Sequence, residues 1–268
     1  MPHIVIDTYI INLERAKERW DKIITQLSPY PEFRIKKIIG VDGKYENFSK
    51  IHLDSNQSIR YFGQALSSGT IGCYLSHVKA WKTFCCSGKN YAFILEDDAS
   101  FNPLLVLYLL KKLGIFHENS LNDTQKSDWD ICSLQLNHRG MPLPIQNLQN
   151  GYELCTYLTS VTGAGAYVLS QHSAQRLLYK AFPIILPVDH YYTKSHRLDL
   201  KFVGIEPRTI TQSAEFSFIE RIGRERLKNI SSWSRIFCGM RRVKEELHQS
   251  LYNLKWALPL YCKYRFFK

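Results

Sequence analysis

The sequence has no apolar stretch that approaches the roughly 20 residues needed to span a bilayer. Its longest apolar runs, 103–110 and 181–188, are much shorter. The first residues show no basic leader followed by a cleavable apolar core, so we expect no secretory signal. The chain has 268 residues, of which 45% are hydrophobic and 22% charged. This composition predicts a globular protein with room for one large α/β domain, or for one domain plus an appendage.

Paired cysteines are also lacking. The seven cysteines include no CxxC pair and no spacing typical of a zinc site. We therefore expect free, reduced thiols in the cytoplasm. A G-x-G-x-x-G is absent too, because the glycines at 162–166 precede a predicted strand and do not open a helix. This excludes a dinucleotide-binding motif at that position. The glycines instead allow the backbone to approach a ligand or a neighbouring strand closely.

Acidic residues are scarce near the C-terminus. Between Arg221 and Lys268 there are 12 Lys/Arg against 3 Asp/Glu, so this segment carries +9 of the formal net charge of +11. Its aromatic residues are Trp233, Phe237, Tyr252, Trp256, Tyr261, Tyr264, Phe266 and Phe267. Basic helices with aromatics lie well on anionic membranes, where each cation contributes on the order of 1 kcal/mol. The composition also fits nucleic acid, or a helix packed on its own domain.

The segment Tyr91–Ser100, YAFILEDDAS, is the centre of the predicted fold. Its five mostly apolar first residues predict a strand covered on both faces of a mostly parallel sheet. Glu96, Asp97 and Asp98 follow where the strand ends, which is where α/β sheets bind ligands. Adjacent carboxylates raise each other's pKa, and a hard divalent cation that also binds phosphate oxygens would offset this cost. Alternatively, the acids form a solvated loop or cap the next helix.

The rest of the chain alternates between strand and helix patterns. Strands are predicted at 4–13, 33–39, 129–136, 152–159, 163–169 and 202–206. Helices are predicted at 16–27, from Thr70 onward, at 104–113 and at 170–181. Irregular segments are predicted at 45–68, 117–128, 138–149 and in the proline-stiffened turn at 187–189. The alternation predicts an α/β fold with a mainly parallel sheet flanked by helices.

Several polar residues lie next to these elements. Asn12 and Arg15 are at a junction between strand and helix, which is a ready place for phosphate. Arg15 and Arg19 could add charge there, although spacing favours a solvated helical face. Asp42 lies in an Asp-Gly turn signal. In the helix after Thr70, spacing places Ser76 away from the centre of the buried face and His77 on its flank, and leaves the roles of both undecided.

The joint order of YIINLERAKERW, VDG, GTIGCYLSHVKAW, YAFILEDDA, TGAGAYVLS and PVD resembles glycosyltransferase family 25, the bacterial lipooligosaccharide sugar transferases. The resemblance runs from Tyr9 to Gln212. It implies a Rossmann-like GT-A catalytic domain over 1–212, followed by a basic, aromatic, helical extension over 213–268. It also implies a UDP-hexose donor, with galactose or else glucose as the sugar, and Mn²⁺ or Mg²⁺ as the cofactor.

The same resemblance assigns roles to residues. Asp98 would be the principal metal ligand, while Glu96 and Asp97 would contact the ribose or help to hold the ion. The other donor-side positions that match are Asn12, Arg15, Asp42, Ser76 and His77. Asp189 matches the acid of the later motif and would be the catalytic base. Direct attack by an acceptor hydroxyl would then invert the anomeric centre.

The implied partners follow from the family. They are a UDP-hexose and a lipooligosaccharide or lipopolysaccharide acceptor, with no nucleic acid. The basic segment then predicts a peripheral protein on the cytoplasmic face of the inner membrane of a Gram-negative bacterium. Two other interpretations use the same residues: a two-metal nuclease with an acidic site and basic flank, and a non-catalytic membrane- or glycan-binding module.

Overall fold

The computed structural model describes residues 5–62, 65–115, 128–137, 140–212 and 232–266. Positions 117–127 of the irregular segment predicted at 117–128 lie outside the described residues. So does residue 213, where the basic extension is predicted to begin. The side chains of Trp233, Phe237 and Phe267 are likewise outside the described part of the chain.

A central sheet of eight strands organises the domain. In chain order its strands are β1 (Ile6–Asn12), β2 (Phe33–Ile39), β3 (Tyr91–Glu96), β5 (Ile131–Ser133), β6 (Pro142–Gln149), β7 (Tyr152–Tyr157), β8 (Ala166–Ser170) and β9 (Phe202–Glu206). Their spatial order is β2-β1-β3-β8-β5-β9-β7-β6. Only β8 and β7 run against the other six strands of this sheet, so the predicted mostly parallel arrangement is confirmed. Two short strands, β4 (Ala99–Phe101) and β10 (Ile210–Gln212), pair separately.

Helices cover both faces of the sheet. They are α1 (Lys17–Leu27), α2 (Ser55–Phe62), α3 (Ser68–Cys85), α4 (Pro103–Lys112), α5 (Gln171–Tyr179), α6 (Val188–Tyr192), α7 (Ser195–Leu198) and α8 (Ser232–Phe266). Ala92 and Ile94 of β3 pack into the core beneath α3 and α5, and Phe93 and Leu95 pack into the core beneath α4. Because alternate side chains of β3 enter opposite cores, its sequence is apolar without alternation.

Local sequence signals account for several helix ends. Asn102 caps α4, since its Oδ1 accepts the backbone N–H groups of Leu104 and Leu105. The acids at 96–98 therefore do not cap this helix, against the alternative above. Ser170 caps α5 as predicted, and Gly114 follows α4 with a positive φ of 67°.

The structure corrects other sequence predictions. The cap of α3 is Ser67, with Thr70 donating its N–H to the Ser67 hydroxyl, so the helix begins two residues before the predicted Thr70. The segment 45–68 contains α2, and the turn at 187–189 opens α6. The segment predicted as a loop at 138–149 forms β6 from Pro142 onward. This strand is at the edge of the sheet, where proline's missing N–H costs no ladder hydrogen bond.

Helix α8 packs on the α/β domain along one face. Asn253 Nδ2 donates to the Tyr157 carbonyl at 2.7 Å, Gln249 Nε2 donates to the Thr193 carbonyl at 3.1 Å, and Ala257 is fully buried. The described part of the basic extension, α8, is thus docked on the domain. Among the described helices, none combines the length and the apolar character needed to cross a membrane. The six described cysteines are free, as predicted.

Candidate active site

The carboxyl ends of three neighbouring parallel strands meet at one edge of the sheet. Asn12 ends β1 in register with Ile39 of β2, and Ile11 is in register with Glu96 of β3. Since parallel strands end at the same edge, the acids at 96–98 and the loop that follows β2 lie beside one another. The position predicted for the acids from sequence is therefore confirmed.

Asp97 is held by two residues of the β1–α1 region. Asn12 Nδ2 donates to Asp97 Oδ2 at 2.7 Å, and Arg19 Nη1 donates to Asp97 Oδ1 at 3.2 Å. Burial nevertheless raises the pKa of Asp97, against the effect of these two donors. Arg19 also reaches Asp98 Oδ2 at 3.5 Å, with only 16% of its side chain exposed. Sequence spacing favoured a solvated face for Arg19, whereas the structure turns it toward the acids.

Asp98 differs from its neighbours because one of its oxygens has no donor. Among the described residues, Oδ1 of Asp98 is buried without a hydrogen-bond partner, as is Oδ1 of Asn12 at the end of β1. Burial, followed by the charge of Glu96, raises the pKa of Asp98 to about 7. A buried carboxylate oxygen without a donor is costly unless a cation or proton compensates it.

Glu96, in contrast, receives donors on both oxygens. His77 Nε2 lies 3.1 Å and Cys73 Sγ 3.8 Å from Oε1, and Gln212 Nε2 donates to Oε2 at 3.0 Å. Burial opposes the charged form, but the hydrogen bonds from His77, Cys73 and Gln212 hold the pKa of Glu96 below its ordinary value. Glu96 is therefore the acid of the triplet whose pKa is lowered.

A buried chain of hydrogen bonds sets the orientation of His77. Trp81 Nε1–H donates to the Tyr167 hydroxyl at 2.8 Å, and this hydroxyl lies 2.8 Å from His77 Nδ1. Because indole nitrogen can only donate, the Tyr167 proton is free to point at His77 Nδ1. The neutral imidazole then carries its proton on Nε2, directed at Glu96. His77 is fully buried, and the contact that the structure shows for it is the one that positions Glu96. Direct contact of His77 with the sugar donor stays a prediction.

Ser76 plays a similar part for the loop after β2. Its Oγ accepts the Val41 N–H at 2.8 Å and donates to the Gly72 carbonyl at 2.7 Å. Ser76 is buried, contrary to the position that helical spacing indicated, because the loop covers this side of α3. A Cβ on Gly72 would lie 2.5 Å from the Val41 carbonyl oxygen, so only glycine allows this approach. The loop then presents Asp42, which forms a salt bridge with Arg15.

Asp189 comes from α6, a helix that packs in the same core as α3. It lies in the first turn of α6, and its Oδ1 accepts the His190 N–H at 2.9 Å. Burial, followed by the charges of Glu96, Asp189 and Asp98, raises the pKa of the Cys73 thiol. All three carboxylates therefore lie near the Cys73 thiol.

The residues fit a hard divalent cation at Asp98. Its unpartnered buried oxygen and the neighbouring carboxylates supply the hard oxygen ligands that Mg²⁺ and Mn²⁺ prefer. Within the described ranges, Cys73, His77 and Glu96 also place one potential ligand atom each within 4.8 Å of one another. Those softer atoms would suit Zn²⁺ better, but Glu96 already accepts hydrogen bonds from the other two.

Cys73, Tyr167, Trp81 and Gln212 were not identified as site residues from sequence. The sequence signal available was weak: Cys73 and His77 are four residues apart on a helix, and so share a face. Tyr167 and Gln212 come from β8 and β10, and no local pattern links them to Glu96.

Comparison with known proteins identifies the family of the chain. The model of "Glycosyltransferase family 25 (LPS biosynthesis protein)" matches residues 5–192, which include all the residues predicted for the site. The chain belongs to glycosyltransferase family 25. The predicted α/β architecture, a mostly parallel sheet flanked by helices, is the one observed. The match excludes Gln212 and α8.

Relatives of this family member include animal transferases. Procollagen galactosyltransferase 1 of Danio rerio is 28% identical over 192 residues, which are 69% of this chain and 30% of the relative. Procollagen galactosyltransferase 2 of Homo sapiens is 28% identical over 191 residues, or 69% and 29% of the two chains. The "Probable inactive glycosyltransferase 25 family member 3" of Rattus norvegicus is 28% identical over 199 residues, or 69% and 32%. The chain thus spans about a third of the length of the curated relatives it matches.

A solved structure also resembles the chain. It is the crystal structure of a glycosyltransferase involved in the glycosylation of the major capsid of PBCV-1, with a TM-score of 0.41 and 9% identity, covering 81% of this chain and 97% of that one. Likeness at this level carries no argument about function.

Proposed function

We propose that this family 25 member is a metal-dependent, inverting hexosyltransferase that uses a UDP-sugar. The observation that carries the proposal is the unequal state of the three acids at the end of β3. Glu96 and Asp97 are satisfied by neighbouring donors, whereas Asp98 keeps a buried oxygen without one. This arrangement favours a bound cation at a strand end where nucleotides bind in α/β folds.

Asp98 would be the principal ligand of Mn²⁺ or Mg²⁺, with Glu96 or Asp97 as a further contact. When bound, the ion would supply positive charge that stabilises the diphosphate as it leaves. Arg19, 3.5 Å from Asp98, adds fixed positive charge on the same side. Asn12, Arg15 and Asp42 line the adjacent strand ends, where we propose that they contact the nucleotide.

Asp189 would act as the general base toward the acceptor hydroxyl. Its charge, like those of Glu96 and Asp98, acts on the Cys73 thiol, which supports a position near the acids at the end of β3. A base positioned at the hydroxyl typically contributes 10² to 10⁴ in rate. Attack from the face opposite the leaving group would give a β-linkage from an α-linked donor.

Galactose is the sugar we propose, with glucose as the alternative, because the procollagen relatives bear the name of galactosyltransferases. For the acceptor we propose a lipooligosaccharide or lipopolysaccharide glycan, in keeping with the description of the family model. We further propose that the protein acts on the cytoplasmic face of the inner membrane of a Gram-negative bacterium, where such a lipid-linked glycan would lie.

A panel of nucleotide sugars tests the proposal. Thermal shift with each UDP-hexose is measured with Mn²⁺ and with EDTA, and UDP release is measured with and without a lipooligosaccharide acceptor or a collagen peptide. At 100 times its Kd, a ligand stabilises by roughly 2.7 kcal/mol. We expect stabilisation by UDP-galactose only with the metal, and its loss in Asp98→Asn.

The matched control is Asp21→Asn, because Asp21 is exposed on α1. If UDP-glucose alone stabilises the protein, the transferred sugar is glucose, and the assignment as a hexosyltransferase stands. Stabilisation by an oligonucleotide in place of any nucleotide sugar would favour the two-metal nuclease. A chain that binds lipooligosaccharide but no nucleotide sugar would support the non-catalytic module and refute the transferase.

A further inference from the structure

Helix α8 has a second apolar face besides the one that packs on the domain. Its inward face carries Gln249, Asn253 and Ala257, all of which are buried. Two aromatic residues of α8, Tyr252 and Tyr264, also turn toward the domain, whereas Phe266 is 72% exposed. The Tyr252 hydroxyl donates to Asp199 at 3.2 Å, and the Tyr264 hydroxyl donates to Glu153. Tyr252 and Tyr264, two of the aromatics that suggested a membrane surface in the sequence, are therefore used for docking the helix.

The outward face is aliphatic. Met240, Val243, Leu247, Leu251 and Leu258 are 63%, 69%, 56%, 57% and 49% exposed. Their spacing of three, four, four and seven residues places them on one stripe, and at 1.5 Å per residue the stripe is roughly 27 Å long. We call these five residues the aliphatic stripe. Exposed apolar side chains that form a continuous line mark a binding surface, unlike scattered ones.

Charge is distributed unequally between the two faces of α8. The acids of its described part, Glu245 and Glu246, are turned to the domain: Glu245 accepts from His196 and Arg197 at 3.0 and 2.8 Å, and Glu246 accepts the Ser160 N–H at 2.8 Å. Lys244 and Lys255, in contrast, are exposed. Lys244 directly follows the stripe residue Val243, and Lys255 lies four residues after the stripe residue Leu251. The outward side is therefore both apolar and basic.

We propose that the aliphatic stripe lies in the interfacial region of an anionic lipid bilayer, with Lys244 and Lys255 reaching the lipid headgroups. Aliphatic side chains enter the boundary between headgroups and acyl chains, while lysines beside them extend to anionic lipid. A second copy of the chain is a less suitable occupant, because pairing two such faces would bring like charges together. The inference deepens the proposed function by giving the transferase a surface toward a lipid-linked acceptor, but it does not require transferase activity.

Vesicle flotation of the full chain tests the aliphatic part of this surface. The vesicles contain phosphatidylcholine with or without 30 mol% phosphatidylglycerol, a composition chosen at roughly the anionic content that attracts basic segments. We expect Leu247→Ser combined with Leu251→Ser to weaken binding roughly 10- to 100-fold. The control is Leu104→Ser combined with Tyr179→Ser, because these residues are 62% and 82% exposed on α4 and α5. It should bind as the wild type does.

A second pair of variants tests the charges. Lys244→Gln with Lys255→Gln should weaken binding to the anionic vesicles roughly 30-fold, and should leave binding to pure phosphatidylcholine unchanged. The control, Lys82→Gln with Lys111→Gln, changes exposed lysines on α3 and α4. Circular dichroism, together with UDP release measured in the presence of a soluble acceptor analogue, shows that each variant is folded. Failure of UDP release in the wild type would count against the proposed function alone.

Two results would overturn the inference. One is equal vesicle binding by the wild type and both variant pairs, or no binding by the wild type. The other is a concentration-dependent dimer in sedimentation velocity that the Leu247→Ser, Leu251→Ser pair abolishes, in which case a second copy of the chain occupies the stripe.

Discussion

Replacing Asp98 with asparagine should stabilise the metal-free protein at pH 8. The wild type then holds a buried carboxylate whose Oδ1 has no donor. Asparagine has nearly the same shape, carries no charge and can still accept the hydrogen bond from Arg19. The variant removes the cost of ionisation and retains the packing, so a residue predicted to be essential for activity should be unfavourable for stability.

The size of this effect follows from the pKa of Asp98. Burial and the charge of Glu96 raise it from 3.8 to about 7, a difference of 3.2 units. At 1.36 kcal/mol per unit, the upper limit is about 4 kcal/mol. The repulsion is shared with Glu96 and the attraction of Arg19 is lost, so we expect roughly 2 kcal/mol, or a rise in Tm of roughly 4–8 °C.

The size of the stabilisation by Asp98→Asn depends on pH. Asp98 has a raised pKa in the folded state, so its favourable contribution is complete below 3.8 and is lost as the pH rises through about 7. The advantage of Asp98→Asn should therefore be about 40% of its full size at pH 5 and full at pH 8. Asp7 is the opposite control: burial raises its pKa, but the donors Lys36 and Arg34 lower it more. Its contribution is present above 3.8 and is lost as the pH falls, so Asp7→Asn should destabilise at both pH values by roughly 1–3 kcal/mol.

Chemical denaturation in EDTA at pH 5 and pH 8 measures both effects, followed by thermal shift with Mn²⁺ and UDP. A metal-free Asp98→Asn variant that is less stable than the wild type at pH 8 would refute the electrostatic argument. A variant that keeps the full stabilisation by Mn²⁺ would refute the assignment of Asp98 as a metal ligand.

Three further substitutions test other parts of the site. Asp189→Asn should lower kcat by roughly 10² to 10⁴ without changing the Kd of the UDP-sugar in calorimetry, and an unchanged kcat would identify another base. Tyr167→Phe removes the hydroxyl that lies between Trp81 and His77. It should lower the free energy of unfolding by roughly 1–3 kcal/mol and weaken binding of the UDP-sugar with Mn²⁺. Unaltered binding of the UDP-sugar would show that this hydroxyl is purely structural. Gly72→Ala should displace the Val41 loop and raise the KM for the donor, whereas Gly239→Ala, with no atom within 4 Å of its added Cβ, should not.

The sequence predicted the part of the site that depends on local order. An unbroken apolar strand followed by three acids predicted both the burial of β3 and the position of Glu96, Asp97 and Asp98 at its end. The physical reason is simple: a strand between two cores must be apolar on both faces, and polar residues can return only where it leaves the sheet.

The contacts between distant elements could not be predicted in this way. Arg19 has the spacing of a solvated helical residue, and only the packing of α1 beside β3 turns it toward Asp97 and Asp98. Ser76 was placed away from the buried face because the 3.6-residue period assumes one apolar partner, whereas α3 is covered by the sheet and by the loop after β2. Strand β6 was missed because proline is a turn signal in sequence but is tolerated at a sheet edge.

The three consecutive acids acquire different properties because each meets different donors. His77, Cys73 and Gln212 keep Glu96 ionised, and Asn12 with Arg19 binds both oxygens of Asp97. Asp98 is left with an unsatisfied oxygen and the highest affinity for a proton. A divalent cation competes with that proton for the same oxygen, and the ionised Glu96 nearby favours the cation. The donors around the first two acids thus make the third one the position at which a metal ion gains most.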